Sequence, residues 1–284
     1  MKPTRRHFIQ TLFTGAALLA AGGAGGIARQ AFAGGSEPPK TAGDPGKPNE
    51  WKNVAVADGS QMRVFIARPD GAGAAARLPG VIVLQEIFGV NGYIRDVTQR
   101  IANLGYVAMA PDLFHRTAPG FESGYTDPAP GIEQMKKMTD DTLTMDLQAT
   151  YALLKSDNQV DAAHIGSVGY CMGGRASFLA NAVLPLQAAA VYYGGGIADT
   201  LLPRAKDQHG PIILFSGGKD THIGREKQNA VAGALKDAGK HYSDVEFSEA
   251  EHGFFCDQRS SYNPEAAKES WQIFAEFFKE HLKS

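Results

Sequence analysis

The chain has 284 residues, 43% of them hydrophobic, with 28 basic and 30 acidic side chains and a formal charge of −2. That length and apolar content support a substantial core and exclude a disordered or collagen-like chain. The near-neutral, slightly acidic balance argues against nucleic acid and anionic membranes as partners.

The first 33 residues stand apart. "MKPTRRHF" places Arg5 and Arg6 ahead of an alanine-rich apolar run that ends in Ala31, Phe32 and Ala33, the order of a bacterial secretory signal peptide. The glycines between Gly22 and Gly26 make the run too weak for a membrane-spanning helix, so no stable membrane insertion is expected after cleavage. The paired arginines resemble the address of the twin-arginine export route, which makes that export machinery an expected partner and the periplasm or the medium the expected location. Cleavage after Ala33 leaves 251 residues with a formal charge of −6. Residues 34–50 are rich in Gly, Pro, Ser and Lys and read as a flexible tether. Residues 51–284 are read as one α/β domain, with no internal repeat.

Within that domain, apolar runs alternate with helical patterns. "MRVFIAR", "GVIVLQE", "YVAMAPD", "HIGSVGY", "AAAVYYG", "PIILFSG" and "DVEFSEA" are short and several are almost continuously apolar, as in strands buried on both faces of a parallel sheet. Between them lie "GYIRDVTQRIANLG", "DDTLTMDLQATYALLKS", "GGRASFLANAVL", "GREKQNAVAGALKDAG" and a terminal "NPEAAKESWQIFAEFFKEHLK". Gly105 and Gly239 fall where a left-handed C-cap would close a helix. The alternation predicts a mostly parallel central sheet with helices on both faces. "GFESGYTDPAPGIEQMKK" reads as a loop feeding a helix, positioned to act as a lid.

The chemistry centres on "VGYCMGG". Cys171 lies between Gly169 and Gly173, after one apolar run and before one helical pattern, so the stretch reads as a nucleophile elbow with cysteine in the serine position. A sulfur at a helix N-terminus is favoured as the thiolate. The bland alternative is a small buried cysteine, which the two flanking glycines oppose. An acid and a histidine follow in the order this arrangement demands: Asp220 in "GGKD" and His252 in "EHGF", each just after a predicted strand. Glu251 is adjacent to His252 in sequence and would have to fold back on it, and His222 is close enough to Asp220 to need a control.

"QEIFGVN", "DLFHRTAPG", "VGYCMGG", "GGKD" and "EHGF" together resemble the dienelactone hydrolase family, a branch of the α/β hydrolases with a cysteine nucleophile. The resemblance runs from about Gly80 to the final helix. It implies the α/β hydrolase fold and a Cys171–Asp220–His252 triad. It also implies that Glu86 faces the nucleophile at rest and helps to form the thiolate, with backbone N–H groups of Ile87 and Met172 as the oxyanion hole. Tyr192, Tyr193 and Cys256 become expected pocket residues, and a small-molecule ester, lactone or thioester the expected substrate.

The family holds a substrate carboxylate with two arginines, one after the "DLF" strand end and one four residues after the histidine. Residues 117–174 contain no arginine and the second position is Cys256, while Arg116 and Arg259 are out of register. A substrate other than a carboxylated dienelactone is therefore expected. Cys256 also opens a rival reading, a redox-gated or thiol–disulfide protein in which it pairs with Cys171. A binding protein that retains the fold without catalysis is the third. The motifs call for no metal, nucleotide or other cofactor.

Overall fold

The computed structural model describes residues 50–69 and 77–283. The predicted signal peptide and nearly all of the predicted tether lie outside the described residues. In chain order the domain begins with β1 (Glu50–Ala55), β2 (Gln61–Ala67), β3 (Leu78–Leu84), α1 (Gly92–Asn103) and β4 (Val107–Pro111). It continues through α2 (Ala129–Met135), α3 (Asp140–Ser156), β5 (Val160–Tyr170), α4 (Met172–Val183) and β6 (Ala188–Tyr192). After α5 (Ile197–Thr200) come β7 (Ile212–Gly217), α6 (Arg225–Asp237), β8 (Tyr242–Phe247) and α7 (Pro264–Leu282).

All eight strands form one sheet in the order β1-β2-β4-β3-β5-β6-β7-β8. β2 is antiparallel to both β1 and β4, and the six strands from β4 to β8 are mutually parallel. The continuous apolar runs are explained by burial on both faces. In β3, Ile82 and Leu84 pack with α3, α4 and α6, whereas Val81 and Val83 pack with α1 and α7. Each such side chain removed from water contributes about 1.5–3 kcal/mol, so these runs carry most of the sheet's anchorage. β1 was not legible as a strand, and the sheet begins one residue before the predicted domain boundary. Its pattern is mostly exposed, as expected at an edge that buries little apolar surface.

Helix ends follow the sequence signals. Asn91 and Thr139 cap α1 and α3 through their side chains, and Gly105 and Gly239 adopt φ of 94° and 67° after α1 and α6. The region read as a loop feeding a helix does so, with α2 following Pro128. Gly131 seats α2 against the turn after β3, because a Cβ there would lie 2.1 Å from the carbonyl oxygen of Ile87.

Two glycine substitutions separate packing from propensity. A Cβ at Gly169 would lie 1.8 Å from the carbonyl oxygen of Gly173, whereas one at Gly233 in α6 meets nothing within 4 Å. Gly169→Ala is expected to lower stability by about 2 kcal/mol or more. Gly233→Ala is expected to raise it by about 0.5–1 kcal/mol. Urea unfolding of the two variants beside the parent chain checks both signs.

Candidate active site

Parallel strands deliver their carboxyl ends to one rim, and the predicted residues meet there. Cys171 follows β5 directly and takes φ 56° and ψ −117°, one of two non-glycine residues with positive φ among the described residues. The strained turn is held by close backbone approach on both sides. Gly169 admits the carbonyl of Gly173, and Gly173 in turn lies against the carbonyl oxygen of Leu84, which a Cβ would approach to 2.1 Å. The Cys171 N–H donates to the Tyr192 carbonyl at 3.0 Å, and its carbonyl accepts from Gly174 at 2.9 Å, which ties the elbow to β6 and α4.

Asp220 leaves β7 in the turn Gly217–Asp220 and is held from both oxygens. Its Oδ1 accepts backbone N–H groups of His222 at 2.8 Å and Ile223 at 2.9 Å, and its Oδ2 lies 2.8 Å from His252 Nδ1. His252, in the loop after β8, is buried and lines the same cavity as Cys171. The imidazole is thus held by the carboxylate at the wall of the cavity that Cys171 also lines. Burial opposes its charged form, but the hydrogen bond to Asp220, with the charges of Cys171 and Asp220, raises its pKa to about 10. For Asp220, burial raises the pKa and is outweighed by His252 and the two backbone N–H groups, leaving the carboxyl below its ordinary value. Glu251 is exposed, which excludes it as the buried partner of His252. The exposed His222 presents its ring edge to His252 at 5.1 Å between centroids and does not take the Asp220 position.

Cys171 and His252 open onto a cavity of about 560 Å³. Ile87 and Met172 also line it. Met172 is the first residue of α4, where an N–H has no partner within the helix, and Ile87 lies in the tight turn that Gly89 closes onto the Glu86 carbonyl. Both residues thus stand at the cavity that Cys171 lines.

Glu86 has a partner that the motifs did not announce, and three pocket expectations need correction. Glu86 is fully buried and paired with Arg259, whose Nη1 donates to its Oε1 at 2.9 Å. Burial raises the Glu86 pKa, and Arg259 and then His252 oppose that rise. Tyr192 does not line the cavity. Alternation along β6 turns it into the α1/α7 layer, where its hydroxyl donates to the Ser270 carbonyl at 3.1 Å. Tyr193, with φ 37°, is buried behind His252, ring against ring at 5.1 Å, and supports the imidazole from outside the cavity.

Cys256 is fully buried and absent from the cavity wall. The turn that begins at Gly253 (φ 82°), with the Cys256 N–H donating to the Gly253 carbonyl, swings it inward. Burial pushes its thiol up to about 12, which disfavours the thiolate that disulfide exchange requires. The same turn brings Arg259 into the cavity, a residue the sequence reading set aside as out of register. A Cβ at Gly253 would lie 2.5 Å from its guanidinium, so a glycine after the histidine was the available signal. Arg116 lies elsewhere, paired with Asp58 and Asp146.

A strained turn between parallel strand and helix, with an acid and a histidine supplied from later strand ends, defines the α/β hydrolase class. Within that class the chain belongs to the dienelactone hydrolase family, whose model matches residues 62–282. It is 38% identical over 234 residues to a protein of Synechocystis provisionally named a carboxymethylenebutenolidase, covering 78% of this chain and 93% of that one. A similarly named protein of Salmonella typhimurium is 35% identical over 234 residues, with 79% and 85% coverage. A crystal structure from Klebsiella pneumoniae, provisionally titled a dienelactone hydrolase, superposes with a TM-score of 0.72 at 32% identity, covering 82% of this chain and 99% of that one.

The raised His252 pKa carries a stability consequence. A histidine that titrates near 6.5 in the unfolded chain and about 10 in the folded one contributes stability fully present below pH 6.5 and lost as pH rises toward 10. Between pH 6.5 and 9 the parent protein should lose stability more steeply than His252→Gln, measured by urea unfolding across that window. Equal slopes would contradict the assigned charge state.

Proposed function

We propose that the protein is a cysteine-nucleophile hydrolase of a small ester, lactone or thioester, acting through Cys171, His252 and Asp220. The observation that carries this reading is that Cys171, at positive φ at the end of β5, lines one cavity with His252, which Asp220 holds at 2.8 Å. The reactive form of a cysteine nucleophile is the thiolate, with the proton carried by the partner histidine. The Cys171 thiolate attacks the acyl carbon, and the carbonyl electron pair moves to an oxygen held by the Ile87 and Met172 N–H groups. Collapse breaks the bond to the leaving oxygen or sulfur, which takes the proton from His252 and departs. Water then loses a proton to His252 as it adds to the thioester. The second collapse releases the acid and restores thiolate and imidazolium.

Asp220 is a positioning residue in this scheme. Its two backbone hydrogen bonds fix the carboxylate, and the carboxylate fixes the ring. Glu86, held by Arg259 beneath the rim, is proposed to place a negative charge near the site without touching the reacting atoms.

Hydrolysis of p-nitrophenyl acetate by the reduced protein tests the assignment. Cys171→Ala should lower kcat/KM by at least about 10³, and Asp220→Asn by roughly 10²–10⁴ through the loss of imidazole orientation. His222→Gln is the control and should change it less than about fivefold. Activity retained in Cys171→Ala would overturn the nucleophile.

Export by the twin-arginine route, with cleavage after Ala33, is proposed from residues outside the described part. Arg5→Lys/Arg6→Lys should leave the full-length precursor in the cytoplasmic fraction, whereas the parent chain should yield a periplasmic protein beginning at Gly34.

A further inference from the structure

The cavity that receives Cys171 is asymmetric in its chemistry. Pro128, Ile132, Met135 and Met138 line one side and recur at helical spacing, so α2 and the turn after it turn one apolar stripe toward the sulfur. Leu143 at the start of α3 extends that side. Met135 is the one large apolar side chain left exposed among the described residues, and it belongs to this wall. An apolar surface held open beside a reactive sulfur is one that a ligand can cover.

The stripe is fixed relative to the reacting carbonyl. Gly131 packs on the carbonyl of Ile87, the residue whose N–H is proposed to hold the oxyanion, so α2 rises directly from the oxyanion side. The leaving group must reach His252, which supplies its proton, and the cavity residues near that histidine include His222 and Arg259. The acyl part is therefore left with the α2 wall.

Charge narrows the choice further. The two arginines that line the cavity are both already engaged. Arg175 binds Asp140 at 2.7 Å and the Thr200 hydroxyl at 2.9 Å, and Arg259 binds Glu86 at 2.9 Å. Asp140 itself lines the cavity and holds Arg175 in an ion pair, so a carboxylate on the acyl chain would have to compete with it for that guanidinium.

We propose that the substrate carries a neutral, medium-length apolar acyl chain that lies along Ile132, Met135 and Met138 of the α2 wall. This rests on the hydrolase reading above and specifies its substrate class. Each methylene buried against such a wall is worth roughly a factor of three to four.

The test is a series of p-nitrophenyl esters from acetate to octanoate, with the p-nitrophenyl monoester of adipic acid beside the hexanoate. The expected result is a kcat/KM at least tenfold higher for octanoate than acetate, and at least tenfold lower for the adipate monoester than for hexanoate. In Ile132→Asn and Met135→Gln the octanoate-to-acetate ratio should fall by severalfold. An active enzyme with a flat or falling acyl series, or one whose preference follows alkyl length in acetate esters instead, overturns the inference and leaves the hydrolase reading standing. A second arm needs no turnover. Calorimetry on Cys171→Ala should show 2-decanone binding at least tenfold more tightly than 2-butanone. Tight decanone binding in a protein that hydrolyses no ester would support the apolar wall and remove the hydrolase reading, and equal or absent binding of the two ketones would overturn the wall.

Discussion

The site depends on a backbone contact rather than on any side chain. A turn at positive φ places the Cys171 sulfur at the end of the central strand β5, and that turn exists because three carbonyls approach where no Cβ could stand. Gly173 lies against Leu84, Gly169 against Gly173, and Gly174 against Tyr192, so the elbow is clasped by β3 and β6 together. The cost of holding a non-glycine residue there is of order 1–3 kcal/mol and is offset by packing on both faces of the sheet. Because β3 forms part of the clasp, the turn after it, with Ile87, is placed by the same contact that exposes the sulfur.

Electrostatics then follow from placement. Asp220 is fixed by two backbone N–H groups before it meets His252, and its geometry is set without help from the imidazole. The imidazole is backed by Tyr193 and nearly removed from water. In such a setting the charged partners stabilise the imidazolium more than burial penalises it, as its upward shift records. Glu86 and Arg259 form a second ion pair beneath the rim, and Gly253 leaves room for the guanidinium next to His252.

Much of this was legible in the sequence because the features are local. Five helical patterns and seven apolar runs appear as α1, α3, α4, α6 and α7 and as β2 to β8, and the positions of Cys171, Asp220 and His252 follow from the order of strands alone. What escaped the sequence is non-local or weakly patterned. β1 buries too little for periodicity to reveal it. Tyr192 and Cys256 sit beside site residues in sequence yet point into the opposite layer, because strand alternation and the turn at Gly253 decide direction. Arg259 enters the cavity through that same turn, which a residue count from His252 cannot foresee. The partner of Glu86 was not visible for the same reason, since Arg259 is 173 positions away.

The central claim is that the Cys171 sulfur carries the acyl group during turnover. The direct measurement is acid quenching of the reduced protein during steady hydrolysis of a p-nitrophenyl ester, followed by peptide mass analysis. The account predicts an acyl thioester on the peptide containing Cys171 and none on the peptide containing Cys256. Acylation elsewhere, or no adduct while Cys171→Ala still turns over the ester, would contradict it.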